Sequence, residues 1–269
     1  MDEKFFIVPT PIGNLKDITL RAIEVLKSVD IIACEDTRVT QKLLNHYGIG
    51  TKTIAYHKFN EKDSASGILK LIKDGKSVAL VSDAGTPLVS DPGAILIEEL
   101  RKNNIKYTAL AGASAITTFL SQLPKGDEPF TFFGFLPKKD GKIAEIVKDN
   151  SSKNFVFYES PNRLLKTLSV ISKIDDNIEV AIGRELTKVY EEIFVGNVCE
   201  AISHFEINPL KGEIVVLVYK FFESTEDVDI QCKIDKLKAQ GFSAKETTKI
   251  MTSLFDVDKK TVYNYFTES

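Results

Sequence analysis

Short β-prone apolar runs alternate with helix-length amphipathic segments through the first half of the chain, and that rhythm most limits what it can fold into. Residues 5–8, 31–34, 53–56, 77–81 and 105–110 read as strands, and segments around 19–28, 37–47, 64–73 and 93–103 read as helices. Such alternation predicts a parallel sheet covered by helices on both faces. Thr19 is placed to cap the first helix, with Leu20, Ile23 and Leu26 at helical spacing. The link before it, residues 9–18, is therefore polar, proline-containing and unusually long. In the second half, strands at 130–135, 155–158, 178–182, 190–195 and 213–220, with helices near 162–172 and 197–205, suggest a mixed sheet.

The expected organisation is an α/β protein of two α/β domains, 1–124 with a parallel sheet and 125–222 with a mixed one, followed by a small helical domain at 229–269. The acidic, polar stretch 223–227 reads as a linker. In the tail, Ser243 and Glu246 have capping-box spacing, and Asp258 can cap a last helix carrying Val262, Tyr263 and Phe266. Three short helices in a helix-turn-helix-like arrangement would offer Lys245, Lys249, Lys259 and Lys260 to phosphates. A structural or dimer-stabilising mini-domain explains the same pattern.

At 269 residues, 43% hydrophobic and 27% charged, the chain has material for sizeable cores. Its formal charge of −3 means that a polyanion must be held by a local basic patch. Cys34, Cys199 and Cys232 lack paired spacing, which argues against a disulfide framework or zinc site and fits a reducing cytoplasm. Cys34 continues the apolar run 31–33 and reads as a small buried hydrophobe. His46, His57 and His204 have no metal-ligand spacing, so no metal is expected. The start of the chain is too short and acidic for a secretory signal, and no apolar run reaches the ~20 residues a bilayer requires, so no membrane role is expected.

Five polar clusters follow strand-like runs and could share one cleft at the strand ends. The first, Pro9-Thr10-Pro11-Ile12-Gly13-Asn14-Leu15-Lys16-Asp17, fits neither a dinucleotide fingerprint nor a P-loop. The second is Glu35-Asp36-Thr37-Arg38, whose carboxylates can alternatively cap the next helix. The third, residues 82–93, has the small residues and prolines of a loop that exposes its backbone to a ligand, or of an ordinary turn. The fourth, Ala111-Gly112-Ala113-Ser114-Ala115, suits close backbone contact or tight helix-to-sheet packing. The fifth joins Tyr158-Glu159-Ser160-Pro161-Asn162-Arg163 to Gly183-Arg184-Glu185-Leu186-Thr187-Lys188, mixed charges that read as catalytic groups or as an exposed ion-pair network.

These clusters, with Gly134-Phe135-Leu136-Pro137, occur in the order of one family. Over residues 5–220 the chain resembles the tetrapyrrole methylase family, in its branch of ribosomal RNA 2′-O-ribose methyltransferases. Thr10-Pro11-Ile12-Gly13 and Ser82-Asp83-Ala84 stand where porphyrin-ring methylases carry a glycine-rich opening and a Gly-Asp-Pro loop, which favours the RNA branch. The resemblance implies S-adenosylmethionine as cofactor, folded between two α/β domains, and methylation of a cytidine ribose in the decoding region of 16S rRNA. The partner would be the rRNA or the 30S particle, the location cytoplasmic, and the protein a homodimer. By motif, Ile12, Asp83, Thr86, Ser114 and Ala115 would line the cofactor cleft, Ala84 and Gly85 would keep its floor open, and Tyr158 would approach from the second domain. Two positions depart from the branch: Asn162 stands where histidine is usual, and Ala111 where proline is.

Methyl transfer to a hydroxyl needs alignment of the oxygen and removal of its proton. The catalytic candidates are Glu159, Glu185 and Lys188, with Glu35 a weaker one. Arg38, Arg163, Arg184, Lys138, Lys139, Lys259 and Lys260 are the candidates for RNA contact, and Phe133, Phe135 or Tyr158 could stack a splayed base where exposed. Competing readings are a methylase of a small tetrapyrrole-like or protein substrate, and a nucleic-acid-binding ligand sensor without turnover.

Overall fold

The computed structural model describes residues 3–57, 61–124, 128–207, 211–221, 226–255 and 257–268. The first half forms β1 (Phe5–Ile7), α1 (Leu20–Ser28), β2 (Ile31–Cys34), α2 (Thr37–His46), β3 (Lys52–Ala55), α3 (Glu61–Lys73), β4 (Val78–Val81), α4 (Ala94–Lys102), β5 (Tyr107–Ala109) and α5 (Ala115–Leu120). Its five strands pair in parallel in the order β3-β2-β4-β1-β5. Helices cover both faces, so β4 is buried at every position and reads as an unbroken apolar run. Phe6, Ile32 and Ala79 pack with Leu26 of α1 and Leu44 of α2, whereas Phe5, Ala33 and Leu80 pack with Ile68 of α3 and Leu96 of α4. This two-residue alternation assigns successive side chains of each strand to opposite cores. Thr19 caps α1 by accepting from the Ala22 amide, and Cys34 is buried among apolar neighbours.

The second half comprises β6 (Phe130–Phe135), α6 (Asp140–Asp149), β7 (Asn154–Glu159), α7 (Pro161–Ser172), β8 (Glu179–Arg184), β9 (Glu192–Asn197), α8 (Val198–Ile207) and β10 (Ile214–Val218). The strand order is β6-β7-β10-β8-β9, parallel between β6 and β7 and antiparallel elsewhere, which is the mixed sheet expected. Helix α5 comes from the first half yet packs on this sheet, where Ile116, Phe119 and Leu120 share a core with Val156, Ala181 and Val215. Met1–Tyr219 accordingly forms one compact unit and Lys220–Ser269 another.

The second unit contains α9 (Glu226–Ala239), α10 (Ala244–Leu254) and α11 (Lys259–Glu268), built around Ile230, Ile234, Met251 and Val262. Ser243 and Glu246 satisfy each other's backbone amides, and Asp258 accepts from the Lys260 and Thr261 amides. Three differences from the sequence reading have local causes. Glu226 and Asp227, expected in a linker, belong to α9, while 222–225 lie outside the described residues. Helix α6 lacked a start signal because Lys139 precedes it without a side-chain cap, although Ile143 and Val147 mark its buried face. Strand β5 begins at Tyr107 because Ile105 instead closes α4, donating its amide to the Leu100 carbonyl beyond Asn104, whose φ is +53°. Among the described residues, no helix is long and apolar enough to cross a membrane.

Candidate active site

The carboxyl ends of the neighbouring strands β1, β4 and β5 face those of β6, β7 and β8, and their loops enclose a cavity of about 360 Å³. Open α/β sheets bind ligands in such crevices beyond the strand ends. Strand β10 joins them from its opposite end: being antiparallel to β7 and β8, it sets Ile214 beside Glu159 and Arg184.

The loop after β4 is braced from several sides. Thr10 and Gly85 exchange backbone hydrogen bonds of 2.9 and 3.0 Å, and the Thr86 hydroxyl donates to the Ala113 carbonyl at 2.9 Å. Asp83 Oδ1 accepts from the Asp36 amide at 3.0 Å, tying this loop to the start of α2. Leu88 and Ser90 then adopt left-handed φ values of +71° and +75°, a conformation non-glycine residues hold only under surrounding constraint. The result places Val89, Ser90 and Asp91 on the cavity wall. Gly112 is required next to this loop, since a Cβ there would lie 2.5 Å from Pro9 Cβ.

All the residues expected around a cofactor come together. Ile12, Asp83, Ala84, Gly85, Thr86, Ser114, Ala115 and Tyr158 line this one cavity. The aromatic candidates separate. Phe135 is 59% exposed and borders the cavity, in tilted contact with Tyr158 at 5.7 Å, while Phe133 packs edge-on against buried Phe155.

The catalytic candidates fare differently. Glu159 is 2% exposed, and its carboxylate accepts from Thr167 Oγ1 at 2.7 Å and the Ser160 amide at 2.8 Å, with Arg163 at 3.4 Å. Its lone pairs are engaged by its own helix, so its chemistry is that of a positioning group. Glu185 and Lys188 pair at 2.7 Å outside the cavity wall, and Lys188 also reaches Glu213 at 3.0 Å. Burial pushes the Glu185 pKa up, but Lys188 and the Glu213 amide outweigh it and the net shift is downward. A carboxylate held below its usual range is a poor proton acceptor. Burial likewise pulls the Lys188 pKa down, and its two carboxylate partners carry it above the usual lysine range.

The RNA candidates also divide. Arg163 donates to the Leu136 and Pro137 carbonyls at 3.0 and 2.9 Å, and Arg184 pairs with Glu192 at 2.8 Å, so both serve the fold. Arg38, 87% exposed in its side chain, pairs with Asp36, which in turn caps α2 as the structural alternative anticipated. Lys138, Lys139, Lys259 and Lys260 are exposed.

The cavity wall is acidic. Asp83, Asp91, Glu159 and Glu213 line it, and among the described residues no lysine, arginine or histidine does. Burial and the neighbouring Glu35 push the Asp91 pKa up to about 6, against a bond from Ser82 that lowers it. Burial, then Asp91 and Glu213, push the Tyr158 phenol up to about 12. Burial and the Asp36 charge also raise the Asp83 pKa, partly offset by the Asp36 amide. Such a wall favours a cationic ligand over a phosphate-bearing one. Sequence reasoning did not single out Asp91, Glu213 or the Gly212–Val215 edge. Asp91 lay inside a loop already marked, but Gly212–Val215 is the amino end of β10 with the two residues before it, where a search of carboxyl ends does not look.

The fold and the acid-lined cleft between two α/β layers define a methylase of the tetrapyrrole type. The chain belongs to that family: residues 4–202 match the model of tetrapyrrole (corrin/porphyrin) methylases. S-adenosylmethionine is the methyl donor of these enzymes. The chain is 38% identical to the ribosomal RNA small subunit methyltransferase I of Streptococcus pyogenes serotype M1 over 97% of this chain and 93% of the relative. It is 46% identical to the protein of the same name from Hydrogenobaculum sp. strain Y04AAS1, over 81% and 96%. Two solved structures share the fold: a diphthine synthase (TM-score 0.63, 15% identity, 83% of this chain and 93% of that one) and a cobalt precorrin-4 methyltransferase (0.61, 16%, 81% and 95%).

The cavity suits that donor. Its volume is within the range of small-molecule sites, Ile12, Ala84 and Ala115 offer apolar surface to a nucleoside, and its carboxylates complement a sulfonium and an ammonium.

Proposed function

We propose that this protein methylates the ribose 2′-hydroxyl of a cytidine in the decoding region of small-subunit rRNA. The observation that carries the reading is an acidic cleft, lined by no lysine, arginine or histidine among the described residues, bordered by exposed Phe135 and followed along the chain by exposed Lys138 and Lys139. This division fits a positively charged donor inside and a polyanion outside. A splayed base can stack on Phe135 while lysines meet the flanking phosphates. The names of its relatives, ribosomal RNA small subunit methyltransferases, agree with an RNA substrate. Lys259 and Lys260 of the second unit, with Arg38, add phosphate contacts in this reading, and the protein works as a cytoplasmic homodimer.

S-adenosylmethionine supplies an activated methyl group. Ile12, Ala84, Gly85, Thr86, Ser114 and Ala115 hold it, Asp83 accepts from its polar groups, and Tyr158 closes the cleft from the second sheet. Glu159 keeps the start of α7 in place, and the Lys188 salt bridges hold the loop after β8 against Glu213.

The test is incubation with tritiated S-adenosylmethionine and either naked rRNA or small-subunit particles, followed by nuclease mapping. Label in a cytidine ribose is expected; label in a base, in protein or nowhere overturns the reading. Asp83→Ala should weaken donor binding by about 1–3 kcal/mol through a lost hydrogen bond. Calorimetry on a variant that still unfolds cooperatively checks this, and unchanged affinity removes Asp83 from the donor site.

A further inference from the structure

We propose that Asp91 is the catalytic base, the group that takes the proton from the attacking ribose hydroxyl. The inference rests on the functional reading above and adds to it the residue that the sequence motifs left unassigned.

The geometry isolates Asp91 among the carboxylates of the cleft. Glu159 is saturated by Thr167, the Ser160 amide and Arg163. Glu213 pairs with Lys188 at 3.0 Å, and Asp83 Oδ1 holds the Asp36 amide. Asp91 follows Ser90, whose φ is +75°, and lies both on the cavity wall and on a small recess shared with Glu35, Tyr56 and Ser82. The next turn is fixed from α3, where Glu61 accepts from the Gly93 amide at 2.9 Å.

The titratable groups around Asp91 are Glu35 just past β2, Asp83 on its own loop, Tyr158 on β7 and Tyr56 in the shared recess, with Ser82 as hydrogen-bond donor. Two carboxylates and two neutral phenols leave it without a cation among these neighbours. Burial and like charge therefore make it a better proton acceptor than an ordinary aspartate, while it stays ionised at neutral pH. As the O2′–methyl bond forms and the methyl–sulfur bond breaks, the sulfonium leaves as a neutral thioether. The hydroxyl proton passes to the Asp91 carboxylate and from there to solvent.

The experiment combines rapid-quench single-turnover methylation of rRNA over a range of pH with ¹³C NMR of aspartate carboxyls in the unliganded protein. Wild type should show a rate that falls as pH drops through about 6, and one carboxyl resonance titrating there. Asp91→Asn should remove that resonance, flatten the acid limb and lower the rate by about 10²–10⁴-fold. A rate within tenfold of wild type with the acid limb intact overturns the proposal. So does an Asp91 resonance titrating near the usual aspartate value, a measurement made on wild type and therefore independent of how the variant folds. Ribose label that fails to appear with wild type overturns the functional reading and this one together; ribose label undiminished in the variant overturns this one alone.

Discussion

Glu159→Ala should lower the free energy of unfolding by about 3–4 kcal/mol, read from the midpoint of urea denaturation at constant slope. The carboxylate lies at the end of β7, with its side chain inaccessible to solvent. Truncation leaves the Thr167 hydroxyl, the Ser160 amide and the Arg163 guanidinium without their shared acceptor. Each buried orphan costs about 1–3 kcal/mol, while Arg163 keeps its two carbonyl partners and limits the total. Glu159→Gln retains an acceptor for the Ser160 amide and a donor toward Thr167, so its cost should be about 1–2 kcal/mol. Its turnover should fall less than tenfold, whereas loss of a general base would cost about 10²–10⁴-fold. An alanine variant as stable as wild type would show that the network contributes nothing net.

The sequence discloses backbone patterns better than side-chain partners. The strands and most helices of the first half follow from a period-two core and identifiable caps such as Thr19 and Asp36. The residues expected around the cavity came from the family resemblance, because small residues at strand ends leave close ligand approach and tight packing equally open; in the structure Gly112 packs against Pro9 and Gly85 takes a φ of +80°. Charged residues were no more legible. Arg163 and Arg184 look identical in sequence to free phosphate ligands, yet the Leu136 and Pro137 carbonyls and Glu192 engage them across distances no local motif encodes. Asp91 stands in an Asp-Pro-Gly turn that any surface loop could carry, and only the fold, which sets Tyr158 of β7 on the same wall, shows it as a cavity group. The Gly212–Val215 edge was hidden for a topological reason, since antiparallel β10 enters the cleft by its amino end.

Gly183→Ala should destabilise the protein by about 2–3 kcal/mol and weaken S-adenosylmethionine binding at least about tenfold, because one methyl group strikes a helix that also floors the site. Gly183 lies on β8 between Val215 of β10 and Ile193 of β9. A Cβ there would sit 2.6 Å from Phe119 Cδ2, 2.9 Å from Cε2 and 3.0 Å from Val215 Cγ1. Phe119 is fully buried in the core shared by α5 and the second sheet, so its ring has no solvent to swing into. Closely packed interiors transmit such strain instead of absorbing it. The cheapest relief is outward movement of α5, and α5 begins at Ala115, which with Ser114 lines the cavity, while the Ala113 carbonyl holds Thr86. Stability and donor affinity should therefore fall together, and Phe119→Leu in the same chain should restore part of both by vacating the ring position. Thermal unfolding and calorimetry on the two variants separate the possibilities: a loss of stability with donor affinity untouched would mean that Phe119 yields within its own core, and that α5 does not couple the second sheet to the cleft.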